Sequence, residues 1–176
     1  MSGRTIWITG LSGAGKSTLA VELFTRFRKE SDGVILLDGD ELRTVFKSSS
    51  ASSNDRESRR ALGHQYAKLC QILSAQGITV VIATISLFNE LHAWNRANIP
   101  GYFEVYLKVP LEELRRRDPK GIYRRFDSGD ISEVAGLDVP IDEPLSADIT
   151  IDHIPSQSTE QIADMIIEIM RERQRS

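Results

Sequence analysis

Thr5-Ile6-Trp7-Ile8-Thr9-Gly10-Leu11-Ser12-Gly13-Ala14-Gly15-Lys16-Ser17-Thr18 is the stretch on which the fold of this chain turns. Its first five residues are β-branched or aromatic and read as a buried strand. A glycine-rich turn follows, and from about Lys16 to Lys29 the residues Leu19, Leu23, Phe24 and Phe27 recur at helical spacing. Gly10 to Ser17 matches G-x-x-x-x-G-K-[ST], with the strand before it and the helix after it that the pattern requires. Each residue type has a task. The glycines let the backbone curl so that successive N–H groups face phosphate oxygens, and the helix adds its positive N-terminal end. Lys16 can bridge the outer phosphates, and the Ser17 hydroxyl can ligate the Mg²⁺ that travels with them. Bound ATP and Mg²⁺ are therefore expected.

Working outward, strand-like and helix-like segments alternate along the chain. Val34 to Leu37, Ile78 to Ile85, Tyr102 to Leu107 and Ile149 to Ile151 read as further strands. Asn54 to Ala75, Asn89 to Ala97, Leu111 to Arg116 and Thr159 to Arg173 read as helices. This order predicts an α/β, three-layer P-loop NTPase architecture, a parallel sheet of about five strands with helices on both faces. The third strand is so continuously apolar that both its faces should be covered. Residues 117–144 break the rhythm, being charged and dotted with Gly and Pro; a long irregular stretch of this kind is expected to act as a lid. Ser48 to Asn54 is polar and low in complexity, expected to be mobile and too short for a domain linker.

The 176 residues suit a single domain, and 40% hydrophobic with 27% charged residues, close to the soluble globular average, favours neither disorder nor a membrane protein. The lone Cys70 lies in an apolar helical run and reads as a buried small hydrophobe. With no leader-like N-terminus and no apolar stretch long enough to span a bilayer, a cytoplasmic location is expected. A net charge of −3 argues against a general nucleic-acid surface. Yet Arg56, Arg59 and Arg60 cluster, as do Arg115, Arg116, Arg117, Lys120, Arg124 and Arg125, which suits a small anionic ligand or, more plainly, solvated helix faces. The expected partner is a small nucleotide acceptor, with no nucleic acid and no membrane; a homodimer is compatible with the sequence. His64, His92 and His153 lack metal-ligand spacing and read as ordinary helix or loop residues.

The Asn-Lys-x-Asp run of a guanine-reading GTPase is missing, and the third strand ends in Thr84-Ile85-Ser86 without the carboxylate of a motor ATPase. The acidic pair, Asp38 and Asp40, ends the second strand instead. Ligands of open parallel sheets lie beyond the carboxyl ends of the strands, so both should face the crevice of the phosphate loop. A carboxylate there can take the proton of an acceptor hydroxyl, which is kinase chemistry. The plainer alternative is a turn in which Asp38 caps the next helix. Arg117 and Lys120 are candidates to close over the phosphates.

Together, the phosphate loop through Thr18, Leu37-Asp38-Gly39-Asp40 with Arg43, Asp55-Arg56, Ile85-Ser86, Phe103-Glu104-Val105-Tyr106, Arg117-Asp118-Pro119-Lys120-Gly121-Ile122-Tyr123, and Gly136-Leu137-Asp138 with Pro140 and Glu143-Pro144 resemble the adenylylsulfate kinases. The resemblance implies ATP-dependent phosphorylation of the ribose 3′-hydroxyl of adenylyl sulfate. It implies Asp40 as catalytic base with Lys16 assisting, and an ATP site of Gly10, Leu11, Ser12, Gly13, Ala14, Gly15, Lys16, Ser17, Thr18 and Arg117. Arg43, Arg56, Ile85, Lys120 and Ile122 become acceptor residues, with Asp38, Arg59, Ser86 and Gly121 beside them. Ser86 matches a serine proposed in the family as a phosphorylated intermediate, a step that direct in-line transfer does not need.

Departures concentrate on the acceptor. The two phenylalanines between which the family holds adenine fall at Ala51 and Val134, an asparagine has become Arg59, and Ser-Pro-Tyr-Arg has become Ser86-Leu87-Phe88-Asn89. Phe88 and Phe126 are the candidates to stack in their place. Leu87-Phe88-Asn89-Glu90 followed by Trp94-Asn95-Arg96 also resembles a branch from capsule gene clusters that phosphorylates the ribose of cytidine diphosphoramidate. Adenylyl sulfate comes first because the family as a whole leans that way. Cytidine diphosphoramidate is the alternative acceptor, and a nucleotide-binding regulatory domain without turnover is the alternative class.

Overall fold

The computed structural model describes residues 3–46 and 55–175; the Ser48 to Asn54 tract, with Ala51, lies outside the described residues. Five strands, β1 (Arg4–Thr9), β2 (Val34–Asp38), β3 (Thr79–Thr84), β4 (Tyr102–Lys108) and β5 (Ile149–Asp152), form one parallel sheet in the order β2-β3-β1-β4-β5. The helices are α1 (Lys16–Glu30), α2 (Gly39–Phe46), α3 (Arg56–Ala75), α4 (Asn89–Asn98), α5 (Leu111–Arg117), α6 (Ile122–Asp127) and α7 (Thr159–Arg175).

Alternation along the central strands assigns the two faces. Ile6 and Ile8 of β1 sit in register with Val81 and Ala83 of β3 and with Phe103 and Val105 of β4. These residues pack against Leu19, Leu23 and Phe27 of α1 and Ala163, Ile166 and Met170 of α7. On the opposite face Trp7, Val80 and Ile82 meet Tyr66, Ala67 and Cys70 of α3 and Leu91 of α4. Cys70 is fully buried, and burial pushes its thiol up to about 12, so it is inert at neutral pH. A Leu91→Ala change in this second core would cost about 2–5 kcal/mol.

Most boundaries agree with the sequence reading to within a few residues. Two short helices were not anticipated. α2 begins directly on the strand end, with the Asp40 amide donating to Asp38 Oδ1 at 2.8 Å, so the capping alternative for Asp38 is realised. α6 lies inside 117–144: Gly121 takes φ 64°, and the Asp118 carboxylate accepts from the amides of Tyr123 and Arg124 at 3.2 and 3.0 Å. The rest of that segment is irregular apart from an isolated bridge between Ala135 and Val139. No helix among the described residues is long and apolar enough to cross a membrane.

Candidate functional site

A cavity of about 1080 Å³ opens beyond the carboxyl ends of β1, β2 and β3. Pockets for small ligands are usually about 300–1,000 Å³, so this cavity lies at the large end of that range.

One end is the phosphate loop. Gly10, Gly13 and Gly15 adopt φ of 152°, 80° and 98°, conformations that side-chain-bearing residues rarely take. A Cβ on Gly10 would also lie 2.7 Å from the Leu107 carbonyl oxygen, so the loop can hug β4 only as glycine. Gly15 ends the loop as the N-cap of α1, and no side chain among the described residues caps the helix there, which leaves its first amides to a ligand. Ser12, Gly13, Gly15, Lys16, Ser17 and Thr18 line the cavity. Gly10, Leu11 and Ala14 do not; they shape the loop from behind, Ala14 being buried and Leu11 packed under Gly136. Lys16 Nζ donates to the Leu11 carbonyl at 2.8 Å. Burial, then the neighbouring Lys120 ammonium, lowers the Lys16 amine to about 8, while Asp40 and Asp38 oppose the shift.

Ser17 Oγ donates to Asp38 Oδ2 at 2.6 Å, which puts a hydroxyl and a carboxylate oxygen side by side at the loop. These are hard oxygen donors of the kind Mg²⁺ takes, and the described residues contain no cluster of three or more His, Cys, Asp or Glu that could hold a metal by themselves. The residues therefore fit an ion shared with phosphates rather than one caged by protein.

At the mouth, Asp40 at the start of α2 pairs with Lys120 from the segment before α6. Burial would raise the Asp40 carboxyl, but Lys120, with Arg43 and Lys16, holds it below the ordinary carboxylate value, so it is ionised at neutral pH. Beyond Asp40 the wall is assembled from distant segments: Arg43, Arg59, Ile85, Ser86, Ile122 and Val134 all line the cavity. Arg59 Nη2 donates to the Glu133 carbonyl at 2.6 Å, tying α3 to the segment after α6.

Other expected site residues sit elsewhere. Arg56 does not line this cavity: it reaches the Pro140 carbonyl at 2.9 Å and Asp142 Oδ2 at 3.0 Å, and its guanidinium lies 5.1 Å from the centre of the Phe88 ring. Gly121 supplies the left-handed cap of α6 and is likewise not part of the wall. Arg117 does line the cavity, but its side chain is tied to Glu113 at 2.7 Å and to His153 at 3.1 Å. Arg116 and Arg117 hold the Glu113 carboxyl at about 2. The two aromatic rings in the wall, Tyr66 and Phe88, are only 3% and 4% exposed, and Phe126 is not in it. Neither substitute stacker thus offers an open ring to this cavity, Phe88 being buried and Phe126 lying outside the wall, and Val134 stands where the family holds a ring.

Sequence reasoning missed Tyr123, whose hydroxyl donates to the Ser12 carbonyl at 2.8 Å and fastens α6 to the phosphate loop. It also left Arg125 out of the site, although Arg125 lines the cavity. The signal for both was the charged Lys120 to Arg125 run, read there as a cluster without assigning each side chain a direction.

Residues 2–152 match the family model described as adenylylsulphate kinase. The cytidine diphosphoramidate kinase of Campylobacter jejuni is 35% identical over 162 residues, covering 92% of this chain and 93% of that protein. The adenylyl-sulfate kinase of Pseudomonas aeruginosa is 40% identical over 151 residues, 84% of this chain and 75% of that one. Among solved structures, the Mycobacterium tuberculosis APS kinase in complex with AMPPNP and APS superposes with a TM-score of 0.86 at 30% identity, over 97% of this chain and 98% of that chain.

Proposed function

The chain belongs to the adenylylsulphate kinase family and is a phosphotransferase acting on a hydroxyl group; from that premise we propose that it transfers the terminal phosphoryl group of magnesium-bound ATP to the ribose 3′-hydroxyl of a nucleotide conjugate, with adenylyl sulfate as the first acceptor. The observation that carries this reading is that Asp40, ionised and paired with Lys120, opens on the same cavity as Lys16 and Ser17. Phosphates and acceptor hydroxyl can then meet at one carboxylate.

In this reading the triphosphate lies along Ser12 to Thr18, with loop amides and the Lys16 ammonium on its oxygens. Ser17, with Asp38 behind it, would hold Mg²⁺, which supplies charge neutralisation across the outer phosphates. The acceptor oxygen forms its bond to the γ-phosphorus as the bond from that phosphorus to the β-bridging oxygen breaks. ADP leaves with the electron pair, and the hydroxyl proton passes to Asp40. Segment 117–144 acts as the lid: Lys120 and Arg117 reach the cavity from it, and Tyr123 fastens it to the loop. Ser86 is 8% exposed, with its hydroxyl 2.8 Å from that of Thr84, and direct transfer gives it no covalent role.

A specific observation favours a second acceptor, cytidine diphosphoramidate. Among the described residues that line the cavity, Val134 and the buried rings of Tyr66 and Phe88 offer no open aromatic face for adenine, and a relative of that name aligns over nearly its whole length. The test is one assay: the purified chain with ATP and Mg²⁺, given each acceptor separately, with ADP release followed. Release with adenylyl sulfate at the higher kcat/KM supports the first reading, and the reverse preference supports the second. A stable ATP complex with no acceptor-dependent ADP from either would mark a nucleotide-binding regulatory domain and overturn both.

A further inference from the structure

On the α3 and α4 face of the sheet, β4 carries one carboxylate among apolar neighbours. Glu104 is 1% exposed and sits in register with Trp7, while His92 of α4 lies above it at 5% exposed. His92 Nδ1 is 3.0 Å from Glu104 Oε1, and His92 Nε2 is 2.9 Å from the Ser86 carbonyl oxygen. A carbonyl can only accept, so Nε2 carries a proton. The other contact then decides the protonation of the pair. Neither Nδ1 nor Oε1 has another hydrogen-bond partner among the described residues, and two bare lone pairs at 3.0 Å would repel, so a proton lies between them. Burial lowers the imidazole and raises the carboxyl from their ordinary values, with Arg96 opposing the rise of the carboxyl, and the one proton is shared across the Nδ1–Oε1 contact. The other charged and titratable groups around the pair are Arg96, at 3.2 Å from Glu104 Oε2, the Tyr102 hydroxyl beside Glu104, Asp148, which Arg96 and Arg173 hold, and Asp142 from the loop after α6.

The Ser86 carbonyl belongs to a turn that needs holding. Ser86 has φ 29°, in the left-handed region that a serine rarely occupies. Three successive carbonyls of this turn are each gripped from a different part of the chain: Ile85 by the Thr9 hydroxyl of β1, Ser86 by His92 of α4, and Leu87 by the Asp142 amide at 3.0 Å. A Cβ on Gly63 of α3 would lie 2.7 Å from Leu91 Cδ2 and 3.3 Å from Ser86 Oγ, so the turn is also packed close from the helix side. Ile85, Ser86, Leu87 and Phe88 all line the cavity.

We propose that His92 is a positioning residue for the acceptor: its Nε2–H, maintained by a proton shared with Glu104, holds the Ser86 carbonyl and fixes the left-handed turn that forms the acceptor wall. The inference rests on the reading of that wall as the acceptor side, so its test has one arm that needs no acceptor.

Two polar substitutions separate the roles of the two ring nitrogens in the 176-residue chain. In His92→Asn the amide reaches the position of Nδ1 and can pair with Glu104, but cannot reach Ser86. In His92→Gln the amide nitrogen reaches the position of Nε2. H92N is expected to raise the acceptor KM by roughly tenfold with the ATP KM unchanged, and H92Q to return it to within roughly threefold, the scale of one hydrogen bond. Hydrogen exchange is the independent arm. H92N should speed exchange at the amides of Phe88 and Asp142, which close the turn, and H92Q should restore their protection. Unchanged protection in H92N, or equal effects of H92N and H92Q on both readouts, would overturn the proposal. Should neither acceptor be turned over while the exchange pattern follows the prediction, the acceptor assignment fails and the positioning of the turn by His92 stands.

Discussion

The two ends of the cavity are built by different means. At the end proposed for the phosphates, the wall comes from one contiguous stretch, Ser12 to Thr18, which offers backbone amides, the Lys16 ammonium and the Ser17 hydroxyl. At the end proposed for the acceptor, single side chains arrive from α2, α3, the turn after β3 and the segment around α6, and contacts such as Arg59 with the Glu133 carbonyl and Lys120 with Asp40 join these pieces to one another. A triphosphate is the same in every ATP-dependent enzyme, so its cradle can be one fixed loop. The acceptor differs between relatives, and a wall of separately replaceable side chains lets its shape change while the transfer chemistry stays.

That contrast can be broken most forcefully at the point where the two ends meet. Asp40→Asn should lower kcat by about 10²–10⁴-fold while ATP affinity measured by calorimetry stays within a few-fold, because only the proton acceptor is removed. Retained turnover would show that the two ends do not share this carboxylate. Lys16→Ala should lower kcat by about 10²–10³-fold with both acceptors alike, since the ammonium acts on the transferring phosphoryl group and not on the base. A loss confined to one acceptor would erase the division of labour.

A smaller effect should sharpen the contrast from the acceptor side. Val134→Phe puts a ring into the wall, and one stacking contact is worth about 1–3 kcal/mol. The ratio of kcat/KM for adenylyl sulfate over cytidine diphosphoramidate should rise by about tenfold or more, with the ATP KM unmoved, when the two acceptors are assayed in parallel. The smallest effect belongs to the phosphate end. Lys16 titrates at about 8 in the free protein because burial and Lys120 disfavour its charge. Phosphate oxygens favour the charged form, so the complex binds more protons than the free protein, and ATP affinity should fall as pH rises through about 8. Calorimetry at that pH in buffers of different ionisation enthalpy should register proton uptake on ATP binding, and none in Lys16→Arg.

The same division explains what could be read from the sequence. The phosphate loop, the alternating strands and the Asp38-Gly39-Asp40 strand end are local patterns, and residues close in sequence carry them. α2 was missed because it starts on a glycine directly at a strand end, and α6 because it is short and capped by Asp118 within a charged run. The direction of a side chain is a different kind of fact. Arg56 looked like an acceptor contact, but the placement of Pro140 and Asp142 turns it into a clamp outside the cavity. Phe88 looked free to stack, yet it is buried beneath the Arg56 guanidinium. His92 read as an ordinary helical residue, because its partners Ser86 and Glu104 come beside it only through the packing of α4 on the sheet.

The most direct test of two ligands meeting at one carboxylate is a crystal structure of the chain with Mg²⁺, a non-hydrolysable ATP analogue and the acceptor that supports turnover. The expected result is the acceptor 3′-hydroxyl within hydrogen-bond reach of Asp40, about 2.6–3.2 Å, and in line with the γ-phosphorus. An Asp40 carboxylate turned away from that hydroxyl, with another group in its place, would contradict the account.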